Sequence, residues 1–178
     1  IKVAVLGATG TVGQKFVTLL RDHPYFCVHE LVASGHSAGR AYGEVCRWRQ
    51  DTPIPDAQAG TIVKAAGDAL ESVLLFSGLD ASVAGEIERE YAERGHLVVS
   101  NSKNHRMDPL VPLVVPEINH DHLRLIDRQP FAGAIVTNPN CSTIFLTMAL
   151  APLHRQFGVE AVSVTTLQAI SGAGYPGV

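Results

Sequence analysis

At 178 residues the chain is long enough for one good-sized core, or for one domain and part of a second. A formal net charge of -3 gives no general pull on nucleic acid, and no apolar run reaches membrane-spanning length. The three cysteines have no metal-ligand or redox spacing, and without a signal peptide they point to a reducing cytoplasm. Both ends read as cut, because Ile1 opens the first strand directly and Val178 closes a loop that should lead further. A piece of a longer chain is therefore expected.

Lys2-Val3-Ala4-Val5-Leu6 reads as a short strand. Gly7-Ala8-Thr9-Gly10-Thr11-Val12-Gly13 follows, and then Phe16, Val17, Leu19 and Leu20 mark the buried face of a helix. Strand, glycine turn, helix is the setting that a dinucleotide fingerprint requires. Gly7 permits the sharp turn, Gly10 lets the backbone approach a pyrophosphate, and Gly13 lets the helix pack closely on the strand. With Thr9, Thr11 and Val12 they form a candidate cofactor loop, and the helix N-terminus offers free N–H groups to the phosphates. The G-x-x-G-x-x-G spacing is looser than G-x-G-x-x-G, so its weight comes from its place at the first βα turn. The plainer reading is a glycine turn that only packs a helix on a sheet.

The second strand is expected over 28–33. An NAD-preferring site would next place a carboxylate for the ribose 2′-hydroxyl, but the chain reads Ser34-Gly35-His36-Ser37-Ala38-Gly39-Arg40. The nearby acid, Glu30, falls inside the strand. Without an acid there is no repulsion of a 2′-phosphate, and Ser34, Ser37 and Arg40 can donate to one. NADP is favoured over NAD. Residues 42–60, with Trp48, Pro53 and Pro55, read as a long surface excursion of no derivable purpose.

The sheet resumes at 61–63 and 73–76, and the second of these runs ends at Ser77-Gly78. Ligands of doubly wound sheets lie beyond strand carboxyl ends, which makes Ser77 and Gly78 candidates for the cofactor cleft. Residues 80–94 form a helix with Ala84, Ile87 and Tyr91 inward, a solvated charged face outward and Gly95 closing it. After a strand over 97–99 comes Ser100-Asn101-Ser102-Lys103-Asn104-His105-Arg106, polar and cationic. Lys103 and Arg106 there could bind an anionic substrate, the arginine with two parallel bonds; a merely solvated loop is the alternative. Residues 111–116 read as an edge or extended connection. Asn119 starts a short helix whose His120 and His122 are surface residues, and no metal site is expected.

A strand over 134–137 leads into Asn138-Pro139-Asn140-Cys141-Ser142-Thr143, and apolar residues to Phe157 suggest a mostly buried helix. Asn140 stands at the N-cap, so Cys141 belongs to the first turn. Backbone N–H groups and the positive end of the helix dipole there favour a thiolate, and can hold an oxyanion after its attack on a carbonyl. This looks like an acyl-transfer nucleophile, against the plainer reading of a small buried hydrophobe. Cys27 and Cys46 lie at no helix start. Alternating strands and helices give an α/β fold, a Rossmann-type doubly wound parallel sheet over 1–138. Residues 139–178 then begin a truncated α+β catalytic domain, with an antiparallel strand starting over 163–170.

Taken together, residues 7–13, 34–39, 101–106 and 138–143 and the run Gln168-Ala169-Ile170-Ser171-Gly172-Ala173-Gly174 resemble aspartate-β-semialdehyde dehydrogenase. Residues 42–48 and the Lys103-Asn104 pair are closest to its archaeal and fungal branch. That family reduces L-4-aspartyl phosphate with NADPH on the way to lysine, methionine and threonine. The resemblance implies Cys141 as nucleophile, Arg106 and Asn140 holding the acyl phosphate, and Gln168 near the thioester. Ser171 and Gly172 would lie by the nicotinamide, and the full-length family members are homodimers or homotetramers. His36 stands where the family usually has an arginine, and no histidine follows Gln168 to serve as the family's acid–base. The fragment alone should therefore not turn over. Malonyl-CoA reductase shares the architecture and is the rival enzyme reading; a nucleotide-binding module without chemistry is the rival of another class.

Overall fold

In a computed structural model, which describes residues 1–169, six parallel strands form one sheet. They are β1 (Lys2–Leu6), β2 (Cys27–Ala33), β3 (Lys64–Ala65), β4 (Leu74–Ser77), β5 (Leu97–Ser100) and β6 (Ala134–Thr137), in the order β3-β2-β1-β4-β5-β6. The chain thus runs outward from β1 to β3, returns to the other side of β1, and runs outward again to β6. Five of the strands lie within a residue of their predicted places because apolar residues dominate each, as in strands covered on both faces, although β2 also carries His29 and the buried Glu30. Val3 and Val5 of β1 enter one core cluster, and Ala4 and Leu6 enter the other.

β3 departs from expectation. The apolar run at 61–63 is not a sheet strand; Ile62 makes an isolated antiparallel bridge with Ala41, and Lys64–Ala65 pairs with β2 instead. Lys64 suits that edge because its ammonium donates to Glu30 at 2.7 Å, a partner invisible in local sequence.

The helices are α1 (Thr11–Leu19), α2 (Tyr42–Val45), α3 (Asp56–Ala59), α4 (Ala81–Glu93), α5 (Pro116–Asn119) and α6 (Cys141–Phe157), with a 3-10 helix over His120–Arg128. On α1, Val17 is buried, but Leu19 is 63% exposed and the wholly buried Gln14 faces inward instead. On α4, Ala84 and Tyr91 face the core as expected, and Asp80 caps the helix by accepting from Ser82 N–H. Its charged face is not all solvated: Glu88 is fully buried, held by serines that end β4 and β5.

The expectation for α6 needs correction too. No residue of the helix is buried, and Phe145 and Phe157 are 73% and 78% exposed. Apolar spacing shows that a face needs cover, not which residues supply it; here Ile144, Leu146 and Leu150 are only half-buried. Residues 161–169 are exposed and form no strand, since an extended segment needs a neighbour to pair with.

Candidate active site

The turn after β1 sits where the sheet order reverses, beside the end of β4. Gly7 takes a positive φ of 71°, and Gly10 N–H closes the turn on Gly7 O at 2.9 Å. A Cβ on Gly13 would stand 2.1 Å from Gly7 O, and one on Gly7 would stand 2.7 Å from Gly78 O. Only backbone fits between these three glycines. Gly78 N–H donates to Leu6 O, so the ends of β1 and β4 form one wall. Gly10 is the N-cap of α1 and has no side chain to satisfy the first N–H groups, while Thr11 and Val12 form the first turn. Thr9 precedes them in the same loop. Backbone amides at an uncapped helix start are a ready anion site.

Beyond β2, Ser34 O accepts from Ser37 N–H at 2.9 Å, and Gly39, with φ 79°, donates to Val63 O. Ser34, His36 and Arg40 are exposed and Ser37 is half-buried, so the loop presents polar groups outward. Glu30 points away from this role. Its carboxylate is buried and accepts from Lys64 Nζ, Glu71 N–H and Ser72 N–H. Burial works against its charge, yet these bonds outweigh burial and lower its pKa to about 2.

At the ends of β5 and β6, Arg106 Nε donates to Asn138 O at 2.8 Å and its Nη2 to Asn101 O at 3.0 Å. Asn138 Nδ2 donates to Asn101 Oδ1 at 2.9 Å. The arginine thereby ties the loop after β5 to the turn before α6. There Asn140 Oδ1 accepts from Thr143 N–H at 2.9 Å, the N-cap expected of it, and Cys141 is the first helical residue and exposed. Asn140 O accepts from Ile144 N–H. The N–H groups of Cys141 and Ser142 have no acceptor within the helix. Lys103 is exposed near Asp80, whose carboxyl it helps to hold low after the hydrogen bonds from Ser82. Gln168 is exposed in the stretch after α6; Ser171 and Gly172 lie outside the described residues.

The family model described as semialdehyde dehydrogenase, NAD binding domain, matches residues 2–126. The chain belongs to that family. Aspartate-semialdehyde dehydrogenase of Cryptococcus neoformans is 53% identical over all of this chain and 52% of its own length. That of Methanothermobacter thermautotrophicus is 46% identical over all of this chain and 53% of its own. A crystal structure of the Candida albicans enzyme with NADP matches with a TM-score of 0.82 and 42% identity, covering 89% of this chain and 48% of that one. The chain thus spans about half the length of these relatives.

This semialdehyde dehydrogenase domain also rests on residues outside the motifs. Tyr42, wholly buried, donates its hydroxyl to Ala8 O at 2.8 Å, and Gln14 Nε2 donates to Thr9 O at 2.9 Å. Under the ends of β4 and β5, Glu88 Oε1 accepts from Ser77 Oγ at 2.6 Å and Ser100 Oγ at 2.8 Å, with His105 Nε2 3.5 Å from Oε2. Burial raises the Glu88 pKa despite these partners. A glutamine after the glycine turn, four residues after Gly10, was the one readable signal among them.

Proposed function

We propose that this chain is the NADP-binding part of an aspartate-semialdehyde dehydrogenase and supplies its nucleophile. On this reading residues 1–138 hold the cofactor and 139–178 open the catalytic and dimerisation domain. The observation that carries it is an exposed Cys141 at the opening of α6, on the same carboxyl edge of the sheet as the glycine turn. The fit for a dinucleotide rests on the turn itself, where Cβ atoms on Gly7 and Gly13 would collide with backbone and α1 starts uncapped. Gly7, Gly10, Gly13 and the first turn of α1 would hold the pyrophosphate. Ser34, Ser37 and Arg40 would hold the 2′-phosphate, with Ser77, Gly78 and Asn101 along the cleft.

The Cys141 thiolate attacks the acyl carbon of L-4-aspartyl phosphate, and the phosphate leaves with the electrons of the C–O bond, forming a thioester. Arg106 has Nη1 left beyond its two carbonyl bonds and, with the Asn140 turn, stabilises the leaving charge. The Cys141 and Ser142 amides receive the oxyanion. NADPH, when bound, supplies the hydride that reduces the thioester. The rest of the protein supplies the acid–base group and the partner subunits of a cytoplasmic homodimer or homotetramer in the lysine, methionine and threonine pathways.

The full-length protein tests this. It should oxidise aspartate semialdehyde with NADP in a phosphate-dependent reaction, and Cys141→Ser should abolish turnover while NADPH binding persists. Dependence on coenzyme A in place of phosphate would support the acyl-CoA reductase reading instead. Turnover by the Cys141→Ser protein would remove the nucleophile from this scheme.

A further inference from the structure

The segment between β2 and β3 is built as a buttress. Ala41 bridges Ile62, Tyr42 N–H donates to Thr61 O at 2.9 Å, and Arg21 donates to Pro53 O at 2.6 Å. Inside these anchors α2 packs so closely on α3 that a Cβ on Gly43 would stand 3.1 Å from Ala59 O. The Tyr42 ring is wholly buried, edge-on to Trp48 with centroids 6.3 Å apart.

What the buttress reaches is the glycine turn. Tyr42 takes Ala8 O, and Ala8 N–H is already bonded to Val32 O at 2.9 Å. Gln14 spans the gap with both ends of its amide. Its Nε2 donates to Thr9 O at 2.9 Å and Arg47 O at 3.0 Å, and its Oε1 accepts from Arg49 N–H at 2.7 Å. Two successive carbonyls of the turn are therefore drawn back into the domain. Because a peptide unit is planar, fixing its carbonyl fixes the direction of the N–H on its far edge. A turn with three glycines in seven residues has the most backbone freedom to lose on ordering. Holding it beforehand lowers the cost of closing it around an anion.

We propose that Tyr42 and Gln14 are positioning residues that set how tightly the glycine turn holds NADPH, without touching the cofactor. This rests on the reading of the turn as the pyrophosphate site. The 42–49 segment is then a part of the cofactor site, made rigid from behind.

The test uses the full-length protein and measures NADPH affinity by calorimetry beside kcat and KM. Tyr42→Phe keeps the ring against Trp48 and removes the hydroxyl alone. It should weaken NADPH binding and raise its KM roughly tenfold, the worth of one lost buried hydrogen bond, with kcat at saturating NADPH within about twofold. Gln14→Glu is an independent lesion that keeps the acceptor for Arg49 N–H and loses both donors; it should show the same split, and decides the matter if Tyr42→Phe does not fold. Tyr91→Phe is the control. It removes a buried hydroxyl that donates to Asp68 O and accepts from Gly67 N–H, in the other core cluster, and should leave NADPH affinity unchanged. Parent-like affinity in the folded Tyr42 and Gln14 variants, an equal loss in Tyr91→Phe, or a fall in kcat at constant KM each overturns the inference alone. A parent that binds no NADPH overturns the proposed function, and the inference with it.

Discussion

Glu30→Gln probes the tie between β2 and the chain that returns to β4. The carboxylate has both oxygens committed: Oε1 accepts from Lys64 Nζ at 2.7 Å, Oε2 from Ser72 N–H at 2.9 Å, and Glu71 N–H lies 3.2 Å from each. A glutamine has one oxygen and one NH2 to offer. If its oxygen faces Lys64, its NH2 meets the Ser72 donor; if flipped, it meets the ammonium. The carboxyl's pKa falls from an ordinary 4.5 to about 2 in the fold, because Lys64, Ser72 and Glu71 outweigh the opposing cost of burial. A lower pKa in the folded state means stability that is complete above about pH 5 and is lost as pH falls through 2. The drop corresponds to about 3 kcal/mol at pH 7, of which about 1.4 kcal/mol is left at pH 3. Urea unfolding followed by circular dichroism should show the midpoint of Glu30→Gln roughly 1.5 M below the parent at pH 7, for a slope of about 2 kcal/mol/M. The gap should narrow by about 2 kcal/mol between pH 7 and pH 3. A gap that stays constant across that range, or a variant as stable as the parent at pH 7, refutes the reasoning.

Two further outcomes follow from packing and exposure. Gly13→Ala would place a methyl 2.1 Å from Gly7 O and 2.7 Å from Ala8 Cα, both backbone, so it should cost at least about 1–3 kcal/mol and abolish NADPH binding in calorimetry; Gly35→Ala, with nothing within 4 Å, should change neither. Iodoacetamide followed by mass spectrometry should label Cys141 and Cys27 in the folded protein and Cys46 only in urea, since Cys46 is buried and burial pushes its thiol pKa up.

The apolar strands and the turn between β1 and α1 were legible because each is specified within a few neighbouring residues. From Val3 to Leu6, β1 is buried on both faces and reads as an unbroken apolar run. Asn140 caps the helix three residues ahead of the amide it accepts, and that spacing is visible in the chain. What escaped is set by partners far away. Glu88 sits among Arg89 and the other glutamates of α4 and looks like one more surface charge, but Ser77 and Ser100, 11 and 12 residues off, claim it. β3 escaped for the same reason, its lysine being matched to a carboxylate 34 residues earlier. α6 shows the converse case, where an apolar pattern was plain and its covering surface was not.

The excursion at 42–60 has the least readable purpose in sequence, and the reason is physical. What ties it to the glycine turn is hydrogen bonds from Tyr42 and Gln14 to main-chain carbonyls, and a carbonyl is the same at every residue. Neither end of such a bond leaves a pattern in composition or periodicity. The glycine turn announces itself because glycine is the residue type that its tight contacts tolerate. Yet those same glycines, three of the turn's seven residues, bring no side chain that could fix it. Stiffness must then come from outside the motif, from residues free to be anywhere in the chain that the fold brings behind it. On the proposed reading a cofactor loop and its brace are therefore unequally visible, and affinity would be adjustable at the less visible one without disturbing the cysteine.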